Sequence, residues 1–211
     1  MFLLIKGSGR MAREMRRLCA GQDIEHADWT GFAAHTRRTV FVNFGRTDTD
    51  GALAWCGRYK VPFIQGTTGQ DELFARPPCP VVLAPNLALP AAFFAEAIVP
   101  VAAKLVAQGF VPSLREKHQF SKKGRSGTAL RIADALGMPH ERIAAIREGK
   151  AACAEHRVAL MKGDVSIELA VRVNGREAYA HGAIAVARAL LARQESLKNR
   201  VYSVSEIVPL P

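Results

Sequence analysis

The chain has 211 residues, of which 49% are apolar and 23% charged, a composition typical of a soluble globular protein with one large or two small domains. Its uninterrupted apolar runs fall short of the roughly 18 residues that cross a bilayer, and the N-terminus lacks the basic and long apolar regions of a signal peptide. We therefore expect a cytoplasmic protein with no membrane partner. The net charge of +10 favours anionic ligands, and because the basic residues are spread along the chain, we expect no nucleic-acid partner.

The four cysteines and six histidines give no sign of a disulfide or metal site. Cys19, Cys56, Cys79 and Cys153 are far apart and never show Cys-x-x-Cys spacing, so we expect them to be reduced and structural. The histidines form no His-x-x-x-His pair, and the sequence therefore predicts no metal.

Strands and helices alternate over roughly the first 85 residues. The segments with strand character are 3–6, 23–28, 39–44, 61–64 and 80–84, and those with helical spacing are 10–20 and 48–59. The apolar runs at 39–44 and 61–64 are continuous, as in strands that are covered on both faces. This alternation predicts an α/β domain with a doubly wound parallel sheet, the Rossmann arrangement.

The pattern changes after Pro90. A long apolar helix is expected at 91–108, further helices at 126–136 and 178–194, and strands at 112–118, 143–147, 157–161 and 165–173. The last strand alternates cleanly between apolar and polar residues, which indicates an open sheet in a smaller α+β domain. We expect residues 1–88 with 181–211 to form the first domain and residues 89–180 the second.

A glycine motif at the end of the first strand indicates dinucleotide binding. Gly7, Gly9 and Ala12 form G-x-G-x-x-A between a strand and a helix, where the glycines allow a tight turn and the approach of a pyrophosphate to the backbone. Asp28, at the end of the second strand, favours NADH, because a carboxylate there binds ribose hydroxyls and repels a 2′-phosphate. Trp29, Arg37 and Arg38 could instead serve the adenine or a 2′-phosphate, so NADPH remains open.

Five segments together resemble the dihydrodipicolinate reductase family. They are Gly7–Ala12 with its Gly-Arg-Met core, Val40–Arg46 ending in Asn-Phe-Gly-Arg, Gly66-Thr67-Thr68-Gly69, Ala84-Pro85-Asn86, and Glu116–Lys122 followed by Ser126-Gly127-Thr128-Ala129. The last segment is similar to the family signature Glu-x-His-His-x-x-Lys and Pro-Ser-Gly-Thr-Ala. The resemblance covers most of the chain.

The resemblance implies roles for individual residues and an oligomeric second domain that binds substrate. His118 would be the general acid and Lys122 would act on the substrate. The residues implied to hold NADH or NADPH are Gly7, Gly9, Arg10, Met11, Ala12, Asp28, Phe44, Gly66, Thr67, Thr68 and Asn86. Those implied to bind a small anionic substrate are Lys122, Ser126, Gly127, Thr128 and Arg176. A homo-oligomer, either a dimer or a tetramer, is also implied.

These assignments agree with simple chemistry. Reduction of a C=C or C=N bond needs a hydride on one atom and a proton on the other, and a histidine can give that proton near neutral pH. Ser126-Gly127-Thr128 opens a predicted helix, whose first amides suit a carboxylate.

Several departures from the family pattern lie on the substrate side. Gln119 replaces a second histidine, Asn43 replaces an aspartate, the loop at 123–125 is shorter, and the stretch 148–173 is much reduced. Three hypotheses follow: a compact reductase of the lysine and diaminopimelate pathway, a divergent reductase of another cyclic imine or unsaturated dicarboxylate, and a non-catalytic nicotinamide-binding regulator. A basic nucleic-acid binder is the fourth hypothesis, and its affinity would fall steeply with salt.

Overall fold

The computed structural model describes residues 1–31, 38–67, 70–149 and 153–208. The chain divides into two compact units, here called unit 1 (Met1–Leu87 with Tyr179–Pro211) and unit 2 (Ala88–Ala178). The sequence-based boundaries, after residues 88 and 180, differ from these by one and two residues.

Unit 1 contains a six-stranded parallel sheet in the order β2-β1-β3-β4-β5-β10. Its strands are β1 (Phe2–Lys6), β2 (Glu25–Asp28), β3 (Thr39–Asn43), β4 (Phe63–Gln65), β5 (Val81–Leu83) and β10 (Val201–Tyr202). The chain leaves β1 for β2 on one side and returns to β3 on the other, so the strand order reverses between β1 and β3. Ligands of such sheets bind beyond the carboxyl ends of the strands at this reversal.

Within Met1–Leu87, the described helices are α1 (Arg10–Gly21) and α2 (Thr49–Tyr59), and a 3₁₀ turn spans Asp71–Phe74. After unit 2, the chain continues through α6 (Glu177–Ala192), a 3₁₀ turn at Gln194–Ser196, β10 and α7 (Val204–Ile207). The elements β10 and α7 have two and four residues, too few for a periodic pattern, which explains why the sequence did not predict them.

The core of unit 1 is aromatic. Phe41 on β3 and Phe63 on β4 are paired in register and stack with ring centroids 5.0 Å apart. Trp29 lies edge-on to both Phe41 and Trp55, at 5.2 Å from each. The continuous burial of β3 on both faces agrees with its uninterrupted apolar sequence.

Unit 2 contains a four-stranded mixed sheet in the order β7-β6-β8-β9. Its strands are β6 (Val111–His118), β7 (Ala144–Arg147), β8 (Cys153–Lys162) and β9 (Val165–Asn174). The pair β6 and β7 is parallel, whereas β8 is antiparallel to both β6 and β9. A core cluster joins Leu114 and Val158 of the sheet to Ile132 of α5 (Gly127–Ala135), and a 3₁₀ turn at His140–Arg142 precedes β7. The predicted fold class, a Rossmann domain with a smaller α+β domain and an open sheet, is confirmed.

The long helix at the start of unit 2 has three parts: α3 (Leu89–Phe93), a π-helical turn (Phe94–Ile98) and α4 (Val99–Ala107). Pro100 has no amide hydrogen to donate to the preceding turn, which accounts for the irregular hydrogen bonding there. The combined helix has 19 residues and an 18-residue window with a mean hydropathy of 1.7, so by length and composition alone it could cross a membrane. Its apolar run is interrupted by Glu96 and Lys104, and the helix contributes Phe94, Val99 and Ala102 to the core of unit 2.

Candidate active site

The glycine loop of unit 1 has the backbone that the G-x-G-x-x-A motif requires. Gly7 has a φ of +122°, and a Cβ atom there would lie 2.9 Å from the carbonyl carbon of Phe44, so only glycine fits. Gly9 is different, because a Cβ atom there would meet no described atom within 4 Å. The second glycine therefore leaves room beside the N-terminus of α1 and is not required by internal packing. Ala12 is fully buried.

A cavity of about 470 Å³ opens at this loop. It is lined by residues at or just beyond the carboxyl ends of β1, β2 and β3, at the point where the strand order reverses: Lys6, Gly7, Ser8, Gly9, Trp29, Thr30, Gly31, Phe44, Gly45, Arg46, Thr47 and Asp48. The first amides of α1 and the basic side chains of Lys6 and Arg46 make this cavity suitable for a pyrophosphate.

Lys6 is a pocket residue that the sequence reasoning missed. It is the last residue of β1, it is buried, and its Nζ donates a hydrogen bond to the carbonyl of Thr47. Burial lowers the pKa of Lys6, while Asp48 and Asp50 act in the opposite direction. The sequence signal that could have identified Lys6 is a basic residue at the end of an otherwise apolar first strand. Because Lys6 lies next to the glycine loop, it is a candidate contact for a cofactor phosphate.

Asp28 lies at the carboxyl end of β2, as predicted, but its carboxylate is already paired. Arg16 of α1 places its Nε 2.5 Å from Oδ1 of Asp28 and donates through a second nitrogen to the carbonyl of Gly7 at 2.7 Å. Both residues line a shallow cavity next to the glycine loop, together with Arg13. A cofactor ribose would therefore meet a carboxylate and two guanidinium groups.

A polar network joins the ends of β3 and β4. The buried side-chain amide of Asn43 donates to Oε1 of Gln65 at 2.8 Å, and Gln65 donates to the hydroxyl of Thr67 at 2.6 Å. Gly66 lies against Phe44, since a Cβ atom there would be 2.7 Å from the phenyl ring. Asn43, which replaces an aspartate of the family pattern, is a hydrogen-bond donor in this network, a role that a carboxylate cannot fill.

The remaining residues predicted to contact the cofactor do not line the cavity at the glycine loop or lie outside the described residues. Arg10 is exposed at the first turn of α1, and Met11 and Asn86 are half-buried, but none of the three lines the cavity at the glycine loop. Thr68 and Arg37 lie outside the described residues. Arg38 is exposed and immediately precedes β3.

Unit 2 holds a second cluster, formed by Glu116, His118 and His156. Glu116 and His118 are two apart on β6 and so point to the same face, and His156 of β8 pairs directly opposite Glu116. These three residues are 0%, 8% and 2% exposed. The imidazole rings are 5.5 Å apart, and Nε2 of each ring approaches Oε2 of Glu116, at 3.5 Å for His118 and 4.0 Å for His156.

Glu116 is the centre of this cluster. Its Oε1 accepts a 2.7 Å hydrogen bond from Arg147, and its Oε2 accepts one of 3.0 Å from the amide of Ser126. Burial alone would raise the pKa of the Glu116 carboxyl, but the donors of His118, Ser126 and Arg147 outweigh it and hold the pKa well below its usual range. Glu116 therefore stays ionised beside the two histidines.

The histidines differ in their environment. Burial lowers the pKa of His156 to about 4, with the nearby His118 acting in the same direction and Glu116 opposing both. His156 is consequently neutral near pH 7, and its Nε2 lies 3.0 Å from the hydroxyl of Ser126. Nε2 of His118 is buried and makes no hydrogen bond of good geometry to any described residue.

Ser126 caps α5 and does not leave its polar groups free. Its hydroxyl accepts a hydrogen bond from the amide of Ala129 and contacts His156, while its amide donates to Glu116. The next two amides, of Gly127 and Thr128, are in the first turn and have no partner among the described residues. These two amides are therefore the available anion donors of this turn.

Arg147 holds the loop that carries Lys122. Its guanidinium donates to the carbonyls of Lys122, at 3.0 Å, and Gly124, in addition to Glu116. Among the described residues, the Nζ of Lys122 donates only to the carbonyl of Lys123, at 3.3 Å, so it is not part of the buried cluster. Arg176, between β9 and α6, is half-buried and has no ion pair with a described residue.

The structure thus groups His118 and Ser126 with three residues to which the sequence reasoning gave no role: Glu116, Arg147 and His156. Glu116 is part of the Glu116–Lys122 motif, and Arg147 is the last residue of β7. His156 had no local signal, because its proximity depends on the pairing of β6 with β8.

Comparison with known proteins gives a consistent result. A family model described as the C-terminus of dihydrodipicolinate reductase matches residues 92–208. Proteins named 4-hydroxy-tetrahydrodipicolinate reductase from three strains of Xanthomonas campestris pv. campestris are each 29% identical, over 90% of this chain and 92% of the relative.

Solved structures show the same fold. Dipicolinate-bound dihydrodipicolinate reductase from Paenisporosarcina sp. TG-14 is 16% identical, with a TM-score of 0.67 over 100% of this chain and 99% of that one. The DAP dehydrogenase of C. glutamicum, solved in complex with DAP, is 11% identical, with a TM-score of 0.50 over 100% and 96%.

Proposed function

Because the chain belongs to the dihydrodipicolinate reductase family and is thus an NAD(P)H-dependent oxidoreductase, we propose that it reduces a cyclic unsaturated imine bearing carboxylates, as in lysine and diaminopimelate synthesis. One observation carries the proposal. The buried Nε2 of His118, which faces Glu116 at 3.5 Å, and the first-turn amides of α5, which have no hydrogen-bond partner among the described residues, belong to one cluster that is joined by Glu116. A proton donor and an anion site are the two groups that such a reduction requires.

Unit 1 is the proposed dinucleotide-binding domain, and its cavity fits a nicotinamide cofactor. Gly7 supplies the tight turn, Gly9 leaves the loop open, and the α1 amides with Lys6 and Arg46 would hold the pyrophosphate. Phe44 and Gly66–Thr67 would lie beside the nicotinamide end of the cofactor, while Trp29 and Asp28 would face its adenosine end. When bound in reduced form, the cofactor supplies a hydride.

Unit 2 is the proposed substrate-binding and oligomerisation domain, and its residues would orient the substrate and deliver a proton. The amides of Gly127 and Thr128 would bind one carboxylate, and Lys122, whose Nζ donates to the carbonyl of Lys123, would bind a second anionic group. His118 would hold the transferable proton at Nε2, which lies 3.5 Å from Oε2 of the ionised Glu116. Arg147 fixes the Lys122 loop and Glu116 together, so the shorter loop at 123–125 keeps a defined position.

Either NADH or NADPH is proposed as the cofactor, and the Arg16–Asp28 pair bears on the choice. A bare carboxylate at Asp28 would repel a 2′-phosphate, but Arg16 neutralises it at 2.5 Å and Arg13 lies nearby. We expect Arg16→Ala to raise the KM for NADPH at least tenfold while changing the KM for NADH less than threefold, measured as initial rates with each cofactor. An equal change for both would remove Arg16 from cofactor selection.

The main test is a coupled assay. A dihydrodipicolinate synthase would generate the unstable substrate from pyruvate and aspartate semialdehyde, and cofactor oxidation would be followed by its absorbance with NADH and NADPH in turn. Oxidation that depends on the synthase supports the proposed reaction. Its absence, with cofactor binding retained, would favour the divergent reductase or the non-catalytic regulator instead.

The remaining parts of the proposal concern assembly and location. We propose a cytoplasmic homo-oligomer, a dimer or a tetramer, without nucleic-acid or membrane partners. Light scattering after size-exclusion chromatography measures the mass directly, and a mass of one 22.9 kDa chain would contradict the oligomer.

A further inference from the structure

The buried cluster of unit 2 has the composition of a metal site. Glu116, His118 and His156 offer one carboxylate oxygen and two imidazole nitrogens, and these three ligand atoms lie within 4.8 Å of one another. Two histidines with one carboxylate form a ligand set that zinc prefers in proteins. The spacing rules used on the sequence did not find it, because the third ligand comes from a different strand.

Two of the three ligand distances are close to those that a zinc ion needs, and all three ligand atoms lie within 4.8 Å of one another. Ligands about 2.0–2.1 Å from a tetrahedral zinc lie roughly 3.3 Å from each other. Oε2 of Glu116 is 3.5 Å from Nε2 of His118 and 4.0 Å from Nε2 of His156. Small side-chain rotations would therefore complete a three-ligand site, with a fourth position left for water or another small ligand.

Two further observations point to a ligand at this position. Nε2 of His118 is a buried nitrogen without a hydrogen bond of good geometry to any described residue, in a side chain that is about nine-tenths buried. The carboxylate of Glu116 is also held in position by two hydrogen bonds, from Arg147 to Oε1 and from the amide of Ser126 to Oε2. Carboxylate ligands of metals are commonly held by hydrogen bonds of this kind.

We propose that Glu116, His118 and His156 bind one zinc-type divalent cation per chain. The cation occupies Nε2 of His118, the atom assigned as the proton donor, so binding excludes proton transfer and the metal acts as an inhibitor. The metal binding stands independently of the proposed function, and only the inhibition rests on it.

The test uses zinc alone, titrated into the full-length protein in competition with a chromogenic chelator. We expect one zinc per chain, bound at least tenfold more weakly by His156→Asn and by Glu116→Gln. Asparagine at position 156 can still hydrogen-bond to Ser126, and the circular dichroism spectrum shows whether each variant is folded. His140→Ala is the matched control, because the exposed His140 side chain is paired with Asp134, away from the cluster. The zinc affinity of this variant should equal that of the wild type.

Cobalt(II) gives a readout on the unmodified protein. A tetrahedral site of nitrogen and oxygen ligands produces intense visible bands without thiolate charge transfer. Weak octahedral bands, a thiolate charge-transfer band from cysteines such as Cys56 and Cys79, or equal zinc affinity in the wild type and His156→Asn would each overturn the proposal. Inhibition of the reductase by zinc, and its reversal by a chelator, would be measured in a separate activity assay. Zinc binding is therefore tested even if the protein does not catalyse the proposed reaction.

Discussion

His118 is the residue on which the proposed chemistry depends most directly. Its Nε2 is buried and lies 3.5 Å from the ionised carboxylate of Glu116, and in the proposed mechanism this nitrogen gives a proton to the bound substrate. We expect His118→Ala to lower kcat by about 10²–10⁴-fold, the range for removal of a general acid. Cofactor affinity, measured by fluorescence, should change little, because the glycine loop and its cavity are built from unit 1 residues. Equal turnover in the variant would remove His118 from the mechanism.

For Lys122 we expect a different result, because its side chain takes no part in the buried cluster. Its backbone carbonyl accepts a hydrogen bond from Arg147, whereas its Nζ donates to the carbonyl of Lys123 and to no other described residue. Lys122→Ala should therefore leave the melting temperature within a few degrees of the wild type, while raising KM for the substrate and lowering kcat. Lys123→Ala, the exposed neighbour, is the matched control and should leave both constants near wild type. Similar kinetics in the two variants would assign Lys122 to a solvated basic loop.

Among the secondary-structure elements, α5 contains one residue that we expect to stabilise the fold, Ser126, and one that we expect to contribute little to stability, Thr128. Ser126 caps the helix and contacts His156, so Ser126→Ala should lower the free energy of unfolding by about 1–3 kcal/mol, from the lost cap and the lost buried contact. Thr128→Ala removes a half-buried side chain that does not cap the helix, and should lower the free energy of unfolding by less than about 0.5 kcal/mol. Urea denaturation of both variants measures the difference, and equal stability would show that the Ser126 contacts do not stabilise the native state.

Elements with a long periodic pattern were predictable from the sequence, and the relations between elements were not. The continuous apolar β3, the alternating β9 and the helices α1, α2 and α5 were predicted within about three residues, since each carries its own pattern of burial. The G-x-G-x-x-A loop was recognisable because its glycines are required locally. His156 was not predictable, because it meets Glu116 only through the register of β6 with β8, across 40 positions of the chain. The pairing of Arg16 with Asp28 and the position of Lys6 likewise depend on packing that no local pattern records.

For the whole molecule, the net charge of +10 should be visible in the kinetics, because the proposed cofactor and substrate are both anions. A cationic protein raises the local concentration of anionic ligands, and salt screens the effect, with a Debye length of about 30 Å at 0.01 M and about 10 Å at 0.1 M. We expect kcat/KM to fall roughly tenfold between about 10 mM and about 300 mM salt, while kcat changes little, in initial-rate measurements at constant pH. The same titration with duplex DNA tests the nucleic-acid alternative, in which binding falls much more steeply with salt and NADH does not compete. A kcat/KM that does not depend on salt would mean that the basic residues form a solvated surface with no part in ligand capture.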